Sequence, residues 1–194
     1  MAADFLAMSR LNRNKSLKTA RYLARLHEAF GFPVKAAEIL LAFLKIDGSQ
    51  DSLRLEVAKY YTSAEKNDLA AEQFEIMAEK KPRDKLYLEL AKLYRWSENM
   101  PEEVKQYERL LARGYKPDQM YLKIIERYSW MLDFNKKNKF ERLRLGTLRG
   151  RQQHNYAKII FKGYLRERLM KDAYDLAWKF LEKNSDFSID KSIQ

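Results

Sequence analysis

The stretch DSLRLEVAKYYTSAEKNDLAAEQFEIMAEKKPRD, residues 51–84, decides the fold because it is one copy of something that recurs. Its marks are Ala58, Tyr61, Ala70, Phe74 and Pro82, and 34 residues upstream stand Ala24, His27, Ala36, Leu40 and Gly48. Phe43 leads to Met77 by the same step. Small falls on small, ring on ring, large on large and turn residue on turn residue. Downstream, Ala58 and Tyr61 map onto Ala91 and Tyr94 at nearly the same interval, then onto Ile125 and Tyr128, then onto Phe161 and Tyr164. Ala173 follows Tyr164 at the distance at which Ala70 follows Tyr61. The hexapeptides YRWSEN (94–99) and YSWMLD (128–133) are two readings of the same spot. Self-similarity at a fixed period marks an array whose units cannot bury their apolar faces alone and must stack.

The totals agree. A chain of 194 residues with 46% apolar residues is long enough for a short array and too apolar for a disordered one. Gly (6) and Pro (4) are too few for the many turns of an all-β fold. Cysteine is absent, so disulfides, thiolate nucleophiles and Cys-ligated zinc are excluded. The longest near-apolar run, AAEILLAFL (36–44), is too short to span a bilayer. The opening MAADFLAMSRLNRNK does not have the layout of a signal peptide. The net charge of +11 points to an anionic partner or to Lys-rich solvation.

Ala58, Tyr61, Ala70, Phe74 and Pro82 together resemble the tetratricopeptide repeat (TPR), a helix–turn–helix unit of about 34 residues. The resemblance implies an all-α, right-handed superhelical solenoid of about five units, starting near residues 17, 51, 83, 118 and 154 and running to 187. Residues 1–16 are expected to end a preceding helix or form a cap, and residues 188–194 to be a polar tail. Pro82, Pro101 and Pro117 stand where helices begin or end. In the third unit the turn SENMPEE shifts the second helix, so that Val104 and Tyr107 fit only after a slip; the fourth unit loses its second small residue. Tyr94 and Tyr128 are expected to pack between helices.

The resemblance also implies a concave face lined by the first helix of each unit. Its basic members are Lys18, Arg21, Arg25, Lys59, Lys85, Lys92, Arg95, Lys158, Lys162 and Arg166, against Glu28 and Glu126. Trp96 and Trp130 fall on the same face. Two readings stand: a basic groove for carboxylates or phosphates, or ordinary solvated helix faces with the Trp rings packed on neighbours. A second basic run, KKNKFERLRLGTLRGR (136–151), suits a solvated rim or phosphate contacts. His27 is expected to replace a packing ring, and His154 lies in no metal-ligand spacing. The acidic pairs Glu102–Glu103 and Glu75–Glu79 are expected to be exposed helix carboxylates without shifted pKa values. No phosphate-binding glycine loop or nucleic-acid module is evident. The reading is therefore a non-enzyme without cofactor or metal.

The expected function is a protein-interaction scaffold docking an acidic partner segment. The alternative is direct binding of an anionic polymer, RNA or acidic polysaccharide. LAKLYRWSENMPEEVKQYERLLARG (90–114) is similar to the periplasmic TPR region of bacterial Pel-type exopolysaccharide export proteins. That similarity implies a periplasmic internal fragment recruiting a polysaccharide-modifying enzyme; without it, a cytoplasmic location is expected.

Overall fold

The computed structural model describes residues 13–45 and 51–181. Among them are ten α-helices in sequential pairs: α1 (Arg13–Ala29) with α2 (Pro33–Leu44), α3 (Asp51–Ser63) with α4 (Asn67–Lys80), and α5 (Asp84–Trp96) with α6 (Met100–Ala112). Then come α7 (Pro117–Trp130) with α8 (Phe134–Thr147), and α9 (Gly150–Arg166) with α10 (Met170–Leu181). The chain is all-α, built of five TPR-like hairpins, and divides into two compact units between Lys123 and Ile124. Residues 1–12 and 182–194, which hold most of the expected leading helix and the whole polar tail, lie outside the described residues.

Every hairpin turn is made in the same way. One residue takes the left-handed conformation: Gly31 (φ 78°), Glu65 (57°), Glu98 (57°), Leu132 (56°) and Arg168 (59°). The following N–H then donates to the carbonyl of the ring residue of the first helix. Phe32 reaches His27 (2.8 Å), Lys66 reaches Tyr61 (2.9 Å), Asn99 reaches Tyr94 (2.8 Å), Asp133 reaches Tyr128 (3.0 Å) and Leu169 reaches Tyr164 (2.8 Å). This loop satisfies carbonyls that the helix end leaves bare. The repeat is thus written in the backbone as well as the side chains. Asn99 and Asp133 also cap the next helix, accepting from the N–H groups of Glu102 and Lys136.

Counting from these turns fixes the register of the second helices. The small-residue position is Ala36, Ala70, Glu103, Lys137 and Ala173. The large apolar position one turn on is Leu40, Phe74, Tyr107, Glu141 and Ala177. The slip expected in the third unit does not occur: Tyr107 is in register, and Glu103 rather than Val104 takes the alanine's place. Charged residues at a buried seam look like a register fault when only the sequence is read.

Ala24, Ala36, Ala58, Ala70 and Ala91 are all 0–2% exposed and let paired helices approach closely. Tyr94 is buried and donates to Glu75 Oε1 at 2.7 Å. Burial and the Glu75 carboxylate together push its pKa well above the ordinary phenol value. Tyr128 is buried and stacked on Phe140, with centroids 5.8 Å apart. Beyond Lys123, the core is Leu145, Ala157, Ile160, Tyr164, Ala173 and Leu176.

Candidate functional site: basic first-helix faces and a buried charge cluster

Lys18, Arg25, Lys59, Lys85 and Lys92 are exposed on α1, α3 and α5 and make no ion pair among the described residues. Trp96, at the end of α5, is half exposed, and Lys92 Nζ lies 4.5 Å from its ring centroid. A cation over an exposed indole face can hold a carboxylate beside an apolar or ring group.

Two of the expected groove arginines are engaged within the scaffold. Arg21 makes a two-pronged ion pair with Glu56 of α3, Nε to Oε2 at 3.1 Å and Nη2 to Oε1 at 2.6 Å. Arg95 donates to Glu103 Oε1 at 2.8 Å and also bonds the Tyr107 hydroxyl, which itself donates to Glu103 at 2.8 Å. Burial opposes the Arg95 charge, but Glu103 and Tyr107 outweigh it and hold its pKa above the ordinary value. Glu103 is 1% exposed, and Glu75 is half-buried under Tyr94. The expectation that these were solvated carboxylates is therefore overturned. Glu56 and Glu103 were not legible as partners, because each pairing joins residues on different helices. His27 is half-buried, edge-on to Phe32 at 6.5 Å.

Beyond Ile124, Trp130 is exposed on α7, and Lys162 and Arg166 are exposed on α9 beside the half-buried Lys158. The basic run 136–151 is mostly structural. Lys137 is buried, 2.5 Å from Glu167 and 3.5 Å from Glu141. Arg142 pairs with Asp172, and Arg144 lies 4.3 Å over the Tyr156 ring. Arg149 donates to the carbonyls of Gly146 and Leu148. Burial raises the Glu141 pKa, Lys137 opposes the rise, and Glu167 adds to it. Tyr164 is pushed up to about 12, first by burial and then by the charge of Glu141. Glu141 and Tyr164 thus carry their shifts in a packing seam.

Among the described residues, no group of three or more His, Cys, Asp or Glu could hold a metal. No described helix is long and apolar enough to cross a membrane.

No protein-family model and no curated protein matches the chain. Among solved structures, MamA aligns over 89% of this chain and 95% of its own, at 16% identity and TM-score 0.48. YrrB, a TPR protein with an unusual peptide-binding site, aligns over 96% and 95%, at 12% identity and TM-score 0.46. PilF of Pseudomonas aeruginosa aligns over 95% and 89%, at 9% identity and TM-score 0.42. The TPR-like assignment stands on the helix pairing and the repeated turns above.

Proposed function

We propose that the chain is a non-catalytic protein-interaction scaffold whose basic first-helix faces dock an acidic segment of a partner protein. The carrying observation is the set of exposed cations Lys59, Lys85 and Lys92, none in an ion pair among the described residues, with Lys92 Nζ 4.5 Å from the ring of the half-exposed Trp96. Lys18 and Arg25 extend the same charge onto α1, while Arg21 and Arg95 hold the helices beneath it. Lys158, Lys162, Arg166 and Trp130 offer a similar surface beyond Ile124. The finer reading is recruitment of a polysaccharide-modifying enzyme for exopolysaccharide export in the periplasm. Its support is the segment 90–114.

The test is fluorescence titration of the full chain carrying Trp130→Phe and Trp178→Phe, so that emission is read from Trp96, with a Glu- and Asp-rich peptide, oligouridylate RNA and a polyuronate. Charge reversal at Lys59, Lys85 and Lys92 together is expected to weaken the peptide roughly tenfold or more while leaving the helical spectrum intact. Arg21→Glu is unsuitable as a binding variant because it breaks the α1–α3 ion pair. Tighter, steeply salt-dependent binding of RNA or polyuronate would replace the scaffold reading with polymer binding.

A further inference from the structure

Successive hairpins pack α2 on α3, α4 on α5 and α8 on α9. Each of these seams buries the same two positions, counted from the left-handed turn residues. On the second helix, six residues after its turn residue, stand Ala37, Ala71 and Asn138. On the first helix of the next hairpin, five residues before its turn residue, stand Tyr60, Leu93 and Gly163. All six are buried. At the two ends of the described array the same positions are open: Leu26 on α1 is 41% exposed, and Tyr174 on α10 is 65% exposed. Tyr22 and Phe30 lie four residues to either side of Leu26, Met170 and Trp178 four to either side of Tyr174, and all four are more than half exposed. Residues four apart share a helix face, so each end presents an apolar stripe roughly two turns long.

The two stripes are the two halves of one kind of seam. Helix α10 offers the second-helix half, and α1 offers the first-helix half. Their sizes are complementary. The α2–α3 seam sets a small residue, Ala37, on the second helix and a ring, Tyr60, on the first. The open ends reverse this, with the ring of Tyr174 on the second helix and the smaller Leu26 on the first. A seam fills without overlap when a large residue on one side answers a smaller one on the other. A first helix like α3 would bring a second ring to the position that Tyr174 already fills, and α1 does not. Tyr174 lies nearly parallel to Trp178, at 16° and 6.2 Å between centroids, so part of this face is ordered before anything binds. Ridges of residues four apart on both helices suit the commonest helix crossing of globular proteins. The two lysines and two aspartates of α10 cancel, so the basic α1 meets no net like charge there.

We propose that the chain self-associates head to tail, the α10 face of one copy stacking on the α1 face of the next and continuing the seam that joins its own hairpins. The contact is heterologous, so each copy uses one face to give and the other to receive. The proposal does not depend on the first-helix cations as a docking site. Its test is sedimentation of the full chain from about 1 to 300 µM, a range that resolves micromolar association. Salt is held at about 0.15 M to screen the net positive charge. The parent is expected to gain mass with concentration. Leu26→Glu spoils only the receiving face and Tyr174→Glu only the giving face, and each is expected to weaken association about tenfold or more. Both residues are exposed, so the helical spectrum is expected to survive; if Leu26→Glu unfolds, Tyr22→Glu takes its place. An equimolar mixture of the two variants still holds one intact pair of faces and is expected to form a 1:1 dimer that neither variant forms alone. The triple charge reversal at Lys59, Lys85 and Lys92 is expected to associate as the parent does. A parent that stays monomeric would overturn the proposal and leave residues 1–12, residues 182–194 or another protein as the cover for these faces. Loss of association in only one of the two variants would mean a symmetric contact instead, and a mixture that stays monomeric would equally overturn the head-to-tail pairing.

Discussion

The second helices of the first two hairpins and those of the next two solve one packing problem in opposite ways. At the seam position α2 and α4 carry Ala36 and Ala70, while α6 and α8 carry Glu103 and Lys137, all of them buried. Alanine there needs only a close neighbour. A charge there must bring its partners with it, because desolvating an unpaired ion costs several kcal/mol. Glu103 finds them inside its own hairpin, in Arg95 and Tyr107, and the Arg95 side chain keeps 46% of its exposure. Lys137 reaches outward to Glu167 at the end of α9, so its pair joins two successive hairpins, with side-chain exposures of 9% and 17%. The first arrangement braces a hairpin, and the second sets the register of one hairpin against the next.

The comparison breaks most sharply at Lys137. Lys137→Met leaves Glu141 and Glu167 buried without a counter-charge and is expected to cost about 3–5 kcal/mol. The triple variant Lys137→Met, Glu141→Leu, Glu167→Gln is expected to regain most of that loss, since an apolar seam like that of α2 and α4 then replaces the cluster. Urea midpoints of the single and triple variants measure both. A single variant within about 0.5 kcal/mol of the parent, the range of ordinary surface substitutions, would mean that Lys137 is not part of a closed seam.

Acidity sharpens the contrast by a smaller amount. Burial raises the Glu141 pKa, so the folded state holds this proton more tightly than the unfolded chain. The stabilisation from that proton is full below the ordinary Glu value of about 4.3 and is lost as pH rises through the folded pKa. Thermal melts are therefore expected to show a decline in stability through mildly acidic pH that Glu141→Gln removes. A decline unchanged by that substitution would place the titration elsewhere.

The sequence makes the alanine seams legible and hides the charged ones for the same reason. Ala24, Tyr61 and Ala70 meet neighbours at intervals the backbone period dictates, so spacing alone reveals them. Glu103 and Lys137 are tolerated only because Arg95, Tyr107 and Glu167 arrive from elsewhere in the fold, and no local pattern encodes that arrival. The candidate site divides along the same line. The exposed Lys59, Lys85, Lys92 and Trp96 follow from helical periodicity. The removal of Arg21 by Glu56, the burial of Lys137 beside Glu167 and the pairing of the exposed Arg142 with Asp172 depend on tertiary pairing. Asn138 stands where Ala37, Ala71 and Val104 stand in the preceding hairpins, which becomes visible only once the turns fix the register.

The smallest effect is expected in the turns, where the same two regions differ again. The first hairpin turns on Gly31 at φ 78°, and the fourth turns on Leu132 at φ 56° with a side chain 70% exposed. A left-handed residue with a Cβ is strained by about 1 kcal/mol, and glycine is not. Leu132→Gly is therefore expected to stabilise the protein by up to about 1 kcal/mol, since the exposed leucine gives up little burial. Gly31→Ala is expected to cost a similar amount. A Cβ built at Gly31 meets nothing within 4 Å, so backbone conformation is the whole of that penalty. Opposite shifts in urea midpoint from these two substitutions would show that both turns bear the same strain and that only the first relieves it with glycine. Shifts of the same sign would mean that the Leu132 side chain contributes contacts in the folded state that outweigh its backbone strain.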